Sequence, residues 1–471
     1  MSIILMSIQK FVDRERELAF LEERYASGNA ELLIIYGRRR IGKTELLLHF
    51  ARNKEHVYFL ASEKPYRDNL RELQRMMGDF LGDRLFSRVE FSDIDELLIE
   101  FSKRVQGRRV VLIIDEFPYL IEHYKPVLSL IQRAWDMELS KSDLMLILCG
   151  SSVSSMETEV LGYKSPLYGR RTGQWKVGEL PFWSLREFFP SYSTEELVKV
   201  YGVLGGIPAY LLQFNPEKNF DENVVEKVLS KGAFLYEEAE ILLKEEMREP
   251  ANYFIILQAI ASGRSRFGEI VNATGLDKSL VSKYLNVLEK LGMVEREVPV
   301  TASRKEALKR GRYSITDNYL AFWFRYVLPN KSYLEAGLGK EIWERSKEDF
   351  KEYMGGVFER LLRKPEVFTK LTDFRFSRVG RWWYKNEEID LVALNEREKK
   401  VLFIEVKWKD LSKREARGIL KDLERKAKLV ELDNWEKYYG LVTKSLEGKE
   451  KLREESYLVW DLKDFEDPKR S

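Results

Sequence analysis

The single cysteine, Cys149, has no partner among 471 residues, which excludes an internal disulfide framework and a thiolate zinc cluster. Histidine is nearly as scarce. His49, His56 and His123 are too few and too scattered for a zinc or iron site, so any metal chemistry must rest on carboxylates with Mg²⁺ or Mn²⁺. Long apolar runs are missing as well: Val110–Ile114 and Tyr319–Trp323 fall far short of the roughly 18 to 20 residues that cross a bilayer. Ser2–Met6 is too brief for a signal peptide, and a cytoplasmic chain with no membrane partner is the expectation. Neither sign of charge is in excess, because 79 Lys+Arg against 77 Asp+Glu leave a net charge of +2; a nucleic-acid surface would have to be a local patch. What the chain does have is apolar material, 44% of its residues, enough for several packed domains.

Glu31–Tyr36 reads as a buried strand that runs into Gly37-Arg38-Arg39-Arg40-Ile41-Gly42-Lys43-Thr44, after which Glu45–Arg52 reads as a helix. The spacing G-x-x-x-x-G-K-T between a strand and a helix has a physical cause. Gly37 and Gly42 let the backbone wrap phosphate, the loop amides and helix N-terminus stabilise its charge, Lys43 reaches the β and γ oxygens of ATP, and Thr44 supplies an oxygen to Mg²⁺. A second apolar run, Val110–Ile114, ends in Asp115-Glu116. At that strand edge Asp115 is the expected nucleotide-site and metal residue and Glu116 the base that polarises the attacking water. A third run, Leu144–Leu148, leads through Cys149-Gly150 to Ser151 and Ser152; a hydroxyl there senses the γ-phosphate or simply closes a turn. Gly169-Arg170-Arg171 offers arginines for transition-state charge, in cis or across the interface of a homo-oligomer, or else a solvated pair.

Several segments together resemble the archaeal ATPase family, which is similar to the signal-transduction branch of AAA-type ATPases. They are Phe11 to Leu18 (FVDREREL), the phosphate loop, Ile114-Asp115-Glu116-Phe117, Gly150-Ser151-Ser152, Ser165 to Arg170 (SPLYGR) and Gly205-Gly206-Ile207-Pro208. The resemblance implies that Asp13–Leu18 lies near adenine, that Arg170 is an arginine finger, and that Gly206 and Pro208 open a helical subdomain toward the nucleotide. Where the family typically has glycine before its Arg-Glu pair, this chain has Asp13.

Further along, an apolar helix over Asn252–Ile260 is followed by Phe267–Ala273, the turn Thr274-Gly275-Leu276-Asp277, and a helix over Ser279–Leu291. The pattern predicts a helix-turn-helix. Met293–Val298 and Arg312–Ile315 would form the two strands of a wing around Thr301–Gly311, its tip carrying Arg304, Lys305, Lys309, Arg310 and Arg312. With Lys278, Ser279, Ser282 and Lys283 these can meet phosphates and base edges, or the wing is a solvated loop on a packing module.

Near the C-terminus the segment Arg381–Leu394, a polar turn at Asn395–Lys400 and a return strand at Val401–Lys407 predict a hairpin. Pairing symmetrically about 397 and 398 sets Asp390 opposite Glu405, with Lys407 on the face of Glu405 and Val406 pointing away. Two close carboxylates repel unless a divalent cation joins them, and a lysine beside them can stabilise phosphorane charge; phosphodiester hydrolysis is the chemistry suggested. The arrangement D-x₁₄-E-x-K resembles the PD-(D/E)XK nuclease core. That likeness implies metal binding by Asp390 and Glu405, assistance by Lys407, and completion of the site by the helical acid Glu359. Trp382 and Trp383 are placed to stack on bases or to divide between core and surface.

The expected architecture is α/β: a P-loop NTPase parallel sheet over 1–180, a helical subdomain over 181–250, a winged helix-turn-helix over 251–328, and a PD-(D/E)XK-like α/β domain over 329–471. The expected activity is an ATP-hydrolysing switch coupled to a Mg²⁺- or Mn²⁺-dependent nuclease on nucleic acid. The alternative is a regulatory ATPase that binds DNA or protein through its winged helix and keeps a silent C-terminal domain. A translocase ranks last, since no paired helicase motifs accompany the phosphate loop.

Overall fold

The computed structural model describes residues 11–247, 249–303, 306 and 310–466, so Ser2–Met6 and the wing-tip residues Arg304, Lys305 and Lys309 lie outside the described residues. The chain forms two compact units. One comprises the described residues up to Leu180 with Ile207–Ala209; the other comprises Pro181–Gly206 and the described residues from Tyr210 on.

The first unit is built on five parallel strands, β1 (Glu31–Tyr36), β2 (His56–Leu60), β3 (Val111–Asp115), β4 (Met145–Gly150) and β5 (Gly173–Lys176), in the order β2-β3-β4-β1-β5. β1, β3 and β4 are buried along their whole length. Their sequences (ELLIIY, VLIID, MLILCG) are nearly continuous apolar runs, as strands covered by helices on both faces require. The order matters for the site. β4 lies between β1 and β3, so the loop after β4 emerges between the phosphate loop and Asp115, at the carboxyl edge where open α/β sheets collect ligands.

The second unit begins with helices, including Thr194–Leu204, Phe220–Lys227 and Phe234–Glu246. Helices Pro250–Ala261, Phe267–Thr274 and Lys278–Lys290 follow, then the antiparallel pair β6 (Val294–Glu297) and β7 (Arg312–Ile315). Gly275, at φ 67°, ends the second of these helices in the left-handed conformation that a glycine adopts without a Cβ penalty. This is a helix-turn-helix with a two-stranded wing.

A 25-residue helix, Gly339–Arg363, leads to a mixed sheet of β8 (Arg378–Tyr384), β9 (Glu387–Asn395), β10 (Lys400–Leu411), β11 (Glu436–Leu446) and β12 (Leu458–Trp460), in the order β12-β11-β10-β9-β8. β8, β9 and β10 are antiparallel neighbours, whereas β10, β11 and β12 run parallel, with helix Lys413–Ala427 as the crossover from β10 to β11. Leu420, Leu423 and Ala427 of that helix pack with Val392, Val401, Phe403 and Leu441 in one apolar core.

Candidate functional site

The phosphate loop joins β1 to helix Lys43–Ala51. A Cβ at Gly37 would lie 2.3 Å from the Val177 carbonyl oxygen, and Gly42 takes φ 85°, so each glycine answers a steric demand. Lys43 Nζ donates to the carbonyl oxygens of Gly37 and Arg38, both at 2.9 Å, and is held inside the loop that would receive phosphate. Thr44 Oγ1 donates to Asp115 Oδ2 at 2.7 Å, bringing together the two oxygens expected at Mg²⁺. Asp115 is 1% exposed, and its charge is met by three donors: Thr44, Tyr58 Oη on Oδ2 at 2.9 Å, and the Glu116 amide on Oδ1 at 2.9 Å. Burial, then the Asp115 charge, hold the Tyr58 phenol well above its usual range, so it donates.

Glu116 sits at φ 50°, in the sparsely populated left-handed region, and its carboxylate accepts from Ser151 Oγ at 2.6 Å. Ser151, which follows β4, is thus joined to Glu116, which follows β3. Cys149 lies fully buried in β4, where burial raises its thiol far above the thiolate range. Arg170 makes a two-pronged pair with Asp136, Nε at 3.2 Å and Nη2 at 3.0 Å. Arg171 lies over the ring of Tyr168 at 5.2 Å, and its Nη1 is buried without a hydrogen-bond partner among the described residues.

Sequence reasoning overlooked two residues here. Tyr58 carries no motif, and only the pairing of β2 with β3 puts it beside Asp115. Arg14, within the segment that the resemblance puts near adenine, makes a contact that no sequence signal announces: its Nη2 donates to the carbonyls of Ile41 and Gly178, both at 2.9 Å, tying the phosphate loop to the segment after β5. Asp13 stands at φ 60°, the conformation a glycine takes most readily, which explains how the family's glycine position is filled. Pro208 Cγ comes within 3.9 Å of a Cβ placed on Gly42, and the Ala209 amide donates to Arg40 O at 3.4 Å.

A second cluster lies in the mixed sheet. β9 and β10 pair Asn395 with Lys400 and Leu391 with Ile404, the register that puts Asp390 next in line with Glu405. Opposite, the β8 ladder slips between Gly380 and Trp382, so Asp390 and Leu391 both face Arg381; such a bulge re-aims side chains. Lys407 Nζ donates to Asp390 Oδ2 at 2.9 Å and Glu405 Oε2 at 2.7 Å, and the Val406 amide also donates to Asp390 Oδ2 at 2.9 Å. Lys426, in the crossover helix, donates to Glu405 Oε1 at 2.9 Å, a contact without any sequence signal because it depends on the crossover.

Asp390 and Glu405 are 5% and 3% exposed. Burial raises the Asp390 carboxyl, but Lys407 and the Val406 amide outweigh it, leaving the group below its ordinary range. Burial and then the Asp390 charge push Glu405 up. Burial and then Asp390 push Glu359 up to about 7. Burial lowers Lys407, yet the two carboxylates prevail and raise it. Glu359 itself pairs with Arg381 Nη2 at 3.6 Å. Among the described residues no group of three or more His, Cys, Asp or Glu stands close enough to hold a metal ion. The donor set still suits a hard divalent cation: two acids joined through one ammonium, with a third carboxyl close enough to feel their charge.

Of the two readings of Trp382 and Trp383, stacking on bases is the one their burial removes. They are 4% and 6% exposed; Trp382 packs in the sheet core, and the Arg312 guanidinium covers Trp383 at 4.7 Å from the ring centroid. Pairing of β8 with β9 buries both.

Comparison with known proteins agrees with this architecture. An ATPase domain found predominantly in Archaea matches residues 11–214, the arsR family of bacterial regulatory proteins matches 254–296, and a family of archaeal and bacterial proteins of unknown function matches 323–419. Uncharacterized protein MJECL04 of Methanocaldococcus jannaschii is 44% identical over 461 residues, covering 97% of this chain and 100% of that protein. The uncharacterized ATP-binding protein MJ0423 of the same organism is 47% identical over 51 residues, 11% of this chain and 86% of its own length. Among solved structures, the Walker-type ATPase paby2304 of Pyrococcus abyssi superposes with a TM-score of 0.50 at 21% identity, covering 67% of this chain and 96% of that one, a likeness of fold alone. Phosphate loop, parallel sheet, winged helix and a full-length relative together establish that the chain belongs to the archaeal P-loop ATPase family that includes MJECL04.

Proposed function

We propose that this ATPase is a nucleotide-driven switch governing a divalent-metal-dependent nuclease site in its C-terminal mixed sheet, within a chain divided into 1–180, 181–250, 251–328 and 329–471. The observation that carries the nuclease reading is the shared Lys407 ammonium on Asp390 and Glu405, two buried acids from adjacent strands.

In the ATPase unit, Gly37, Gly42 and Lys43 receive the triphosphate: Lys43 exchanges the carbonyls of Gly37 and Arg38 for phosphate oxygens. Thr44 and Asp115 would hold Mg²⁺, which neutralises phosphate charge when bound. Glu116 orients the attacking water, and Ser151, already bonded to it, reports the γ-phosphate to β4. Arg170 leaves Asp136 to meet transition-state charge.

In the C-terminal site Asp390 and Glu405 would hold Mg²⁺ or Mn²⁺, which would activate water and polarise phosphate when bound, and Glu359 would complete the site from its helix. Lys407, the most exposed member, meets the attacked phosphodiester. One observation favours a silent site that only binds: Lys407 and Lys426 each occupy an oxygen of Glu405.

Cleavage of labelled single- and double-stranded DNA and RNA with Mg²⁺ or Mn²⁺ and ATP decides between these readings. Glu405→Ala should abolish cleavage and spare ATP hydrolysis, while Lys43→Ala should abolish ATP hydrolysis. Absence of wild-type cleavage alongside ATP turnover would establish the silent switch.

A further inference from the structure

Between the winged helix and the β8–β9 hairpin lies a cleft of about 760 Å³, within one compact unit. One wall is the Ser282 and Asn286 face of helix Lys278–Lys290, another the wing at Arg296 and Gly311–Tyr313, and the third the hairpin tip at Trp383–Lys385. Among the described residues five cations line it, Arg266, Arg296, Arg310, Arg312 and Lys385, against one carboxylate, Glu289. In a chain whose net charge is only +2, this is a pronounced local patch.

Three of these cations sit against aromatic rings. Arg310 and Lys385 lie 5.2 and 5.4 Å from the ring centroid of Tyr384, which is 41% exposed, and Arg312 lies over Trp383. Arg310 and Arg312 each give one edge to a carboxylate, Glu306 at 3.4 Å and Glu388 at 3.2 Å, and a guanidinium has five N–H donors, so others remain for a ligand. Rings that hold cations in place, with guanidinium N–H groups left over from the ion pairs, pre-organise a phosphate site. Gly311 leaves room for Arg296: a Cβ there would lie 2.4 Å from Arg296 Nε and would push that guanidinium from its place across the wing.

The dimensions select the ligand. A volume of this size suits nucleotide-sized groups and not a duplex. A duplex-reading winged helix enters a major groove about 12 Å wide; here the exposed Ser282 and Asn286 face borders a narrower cleft whose far wall is the hairpin. The hairpin also points to where the strand leads. Arg312 pairs with Glu388, Glu388 with Arg381 at 3.6 Å, and Arg381 with Glu359. Asp390 lies three residues along β9 from Glu387, about 10 Å at the rise of a strand.

We propose that this cleft binds single-stranded nucleic acid, its phosphates on Arg266, Arg296, Arg310 and Lys385, and delivers the strand along the β8–β9 hairpin to Asp390 and Glu405. Delivery rests on the nuclease reading above; binding does not.

Fluorescence anisotropy of a labelled 20-nucleotide single strand on the full chain in EDTA tests it. The wild type should prefer the single strand to a blunt duplex. Arg266→Ala with Lys385→Ala should weaken binding at least tenfold, and the slope of log Kobs against log salt should fall by about 1.4, two phosphate contacts at about 0.7 each. If that pair lowers the melting temperature, Lys385→Ala alone, at the exposed hairpin tip, should lower the slope by about 0.7. Wild-type affinity in these variants overturns the proposal. So does duplex binding that is equally tight and is lost in Lys278→Ala with Lys283→Ala, or displacement of the strand by an equal concentration of a nucleoside monophosphate. Cleft-dependent binding without any metal-dependent cleavage upholds the cleft and removes the nuclease reading. Cleavage that persists when the cleft variants bind as wild type does the reverse.

Discussion

Replacing Lys407 by Met removes the one ammonium shared by Asp390 and Glu405 while keeping most of the side-chain volume. Breaking a buried ion pair from one side costs about 3 to 5 kcal/mol. Two contacts survive and reduce this: the Val406 amide stays on Asp390, and Lys426 stays on Glu405. There is also a ceiling, because Glu405 can escape by taking up a proton. At pH 7 that costs about 3.7 kcal/mol, from an ordinary Glu pKa near 4.3 and 1.36 kcal/mol per pH unit. The expected destabilisation is therefore about 2 to 3 kcal/mol, or hydrogen exchange roughly 30- to 150-fold faster in peptides covering β9 and β10. At pH 5.5 the ceiling falls to about 1.6 kcal/mol, so the defect must shrink as the solution is acidified. Mn²⁺ should restore protection, because the unpaired acids then have a cation to share. Unchanged exchange at pH 7, or a defect of equal size at both pH values, would refute the idea that Lys407 balances two buried charges.

Gly37→Ala should lower ATP turnover more than tenfold and depress the melting temperature, since the new Cβ would sit 2.3 Å from backbone at Val177 and 2.5 Å from Ile41 Cδ1. Tyr58→Phe removes one of three donors to Asp115 and should cost about 1 to 2 kcal/mol in urea unfolding of the ATPase unit. The same variant should raise severalfold the Mg²⁺ concentration at half-maximal turnover. Glu359 is raised from 4.5 to about 7, so the folded state holds its proton more tightly than the unfolded chain. That contribution is intact below about pH 4.5 and is lost as pH rises through 7, with a full penalty of about 3 kcal/mol at pH 8. Glu359→Gln in EDTA should therefore melt higher than wild type at pH 8 and equally at pH 4.5.

Much of the molecule was legible because local physics and global fold agree. Continuous apolar runs announced β1, β3 and β4, glycine spacing announced the phosphate loop, and a polar turn between two strands set the β9–β10 register to the residue. Residues carried by a strand's alternation or a loop's spacing come with their neighbours already specified, which is why the sequence already puts Thr44 with Asp115, and Asp390 with Glu405 and Lys407.

Tertiary structure alone decided the contacts made between elements far apart in the chain. Tyr58 reaches Asp115 through strand order, Lys426 reaches Glu405 through the crossover helix, and Arg14 grips two carbonyls 27 and 164 residues away. For Trp382 and Trp383 the sequence leaves open stacking on bases or a split between core and surface, and the pairing of β8 with β9 buries both. The cationic cleft joins a wing, a recognition helix and a hairpin. A periodicity describes one element against an averaged core, whereas these sites depend on which elements the packing brings face to face.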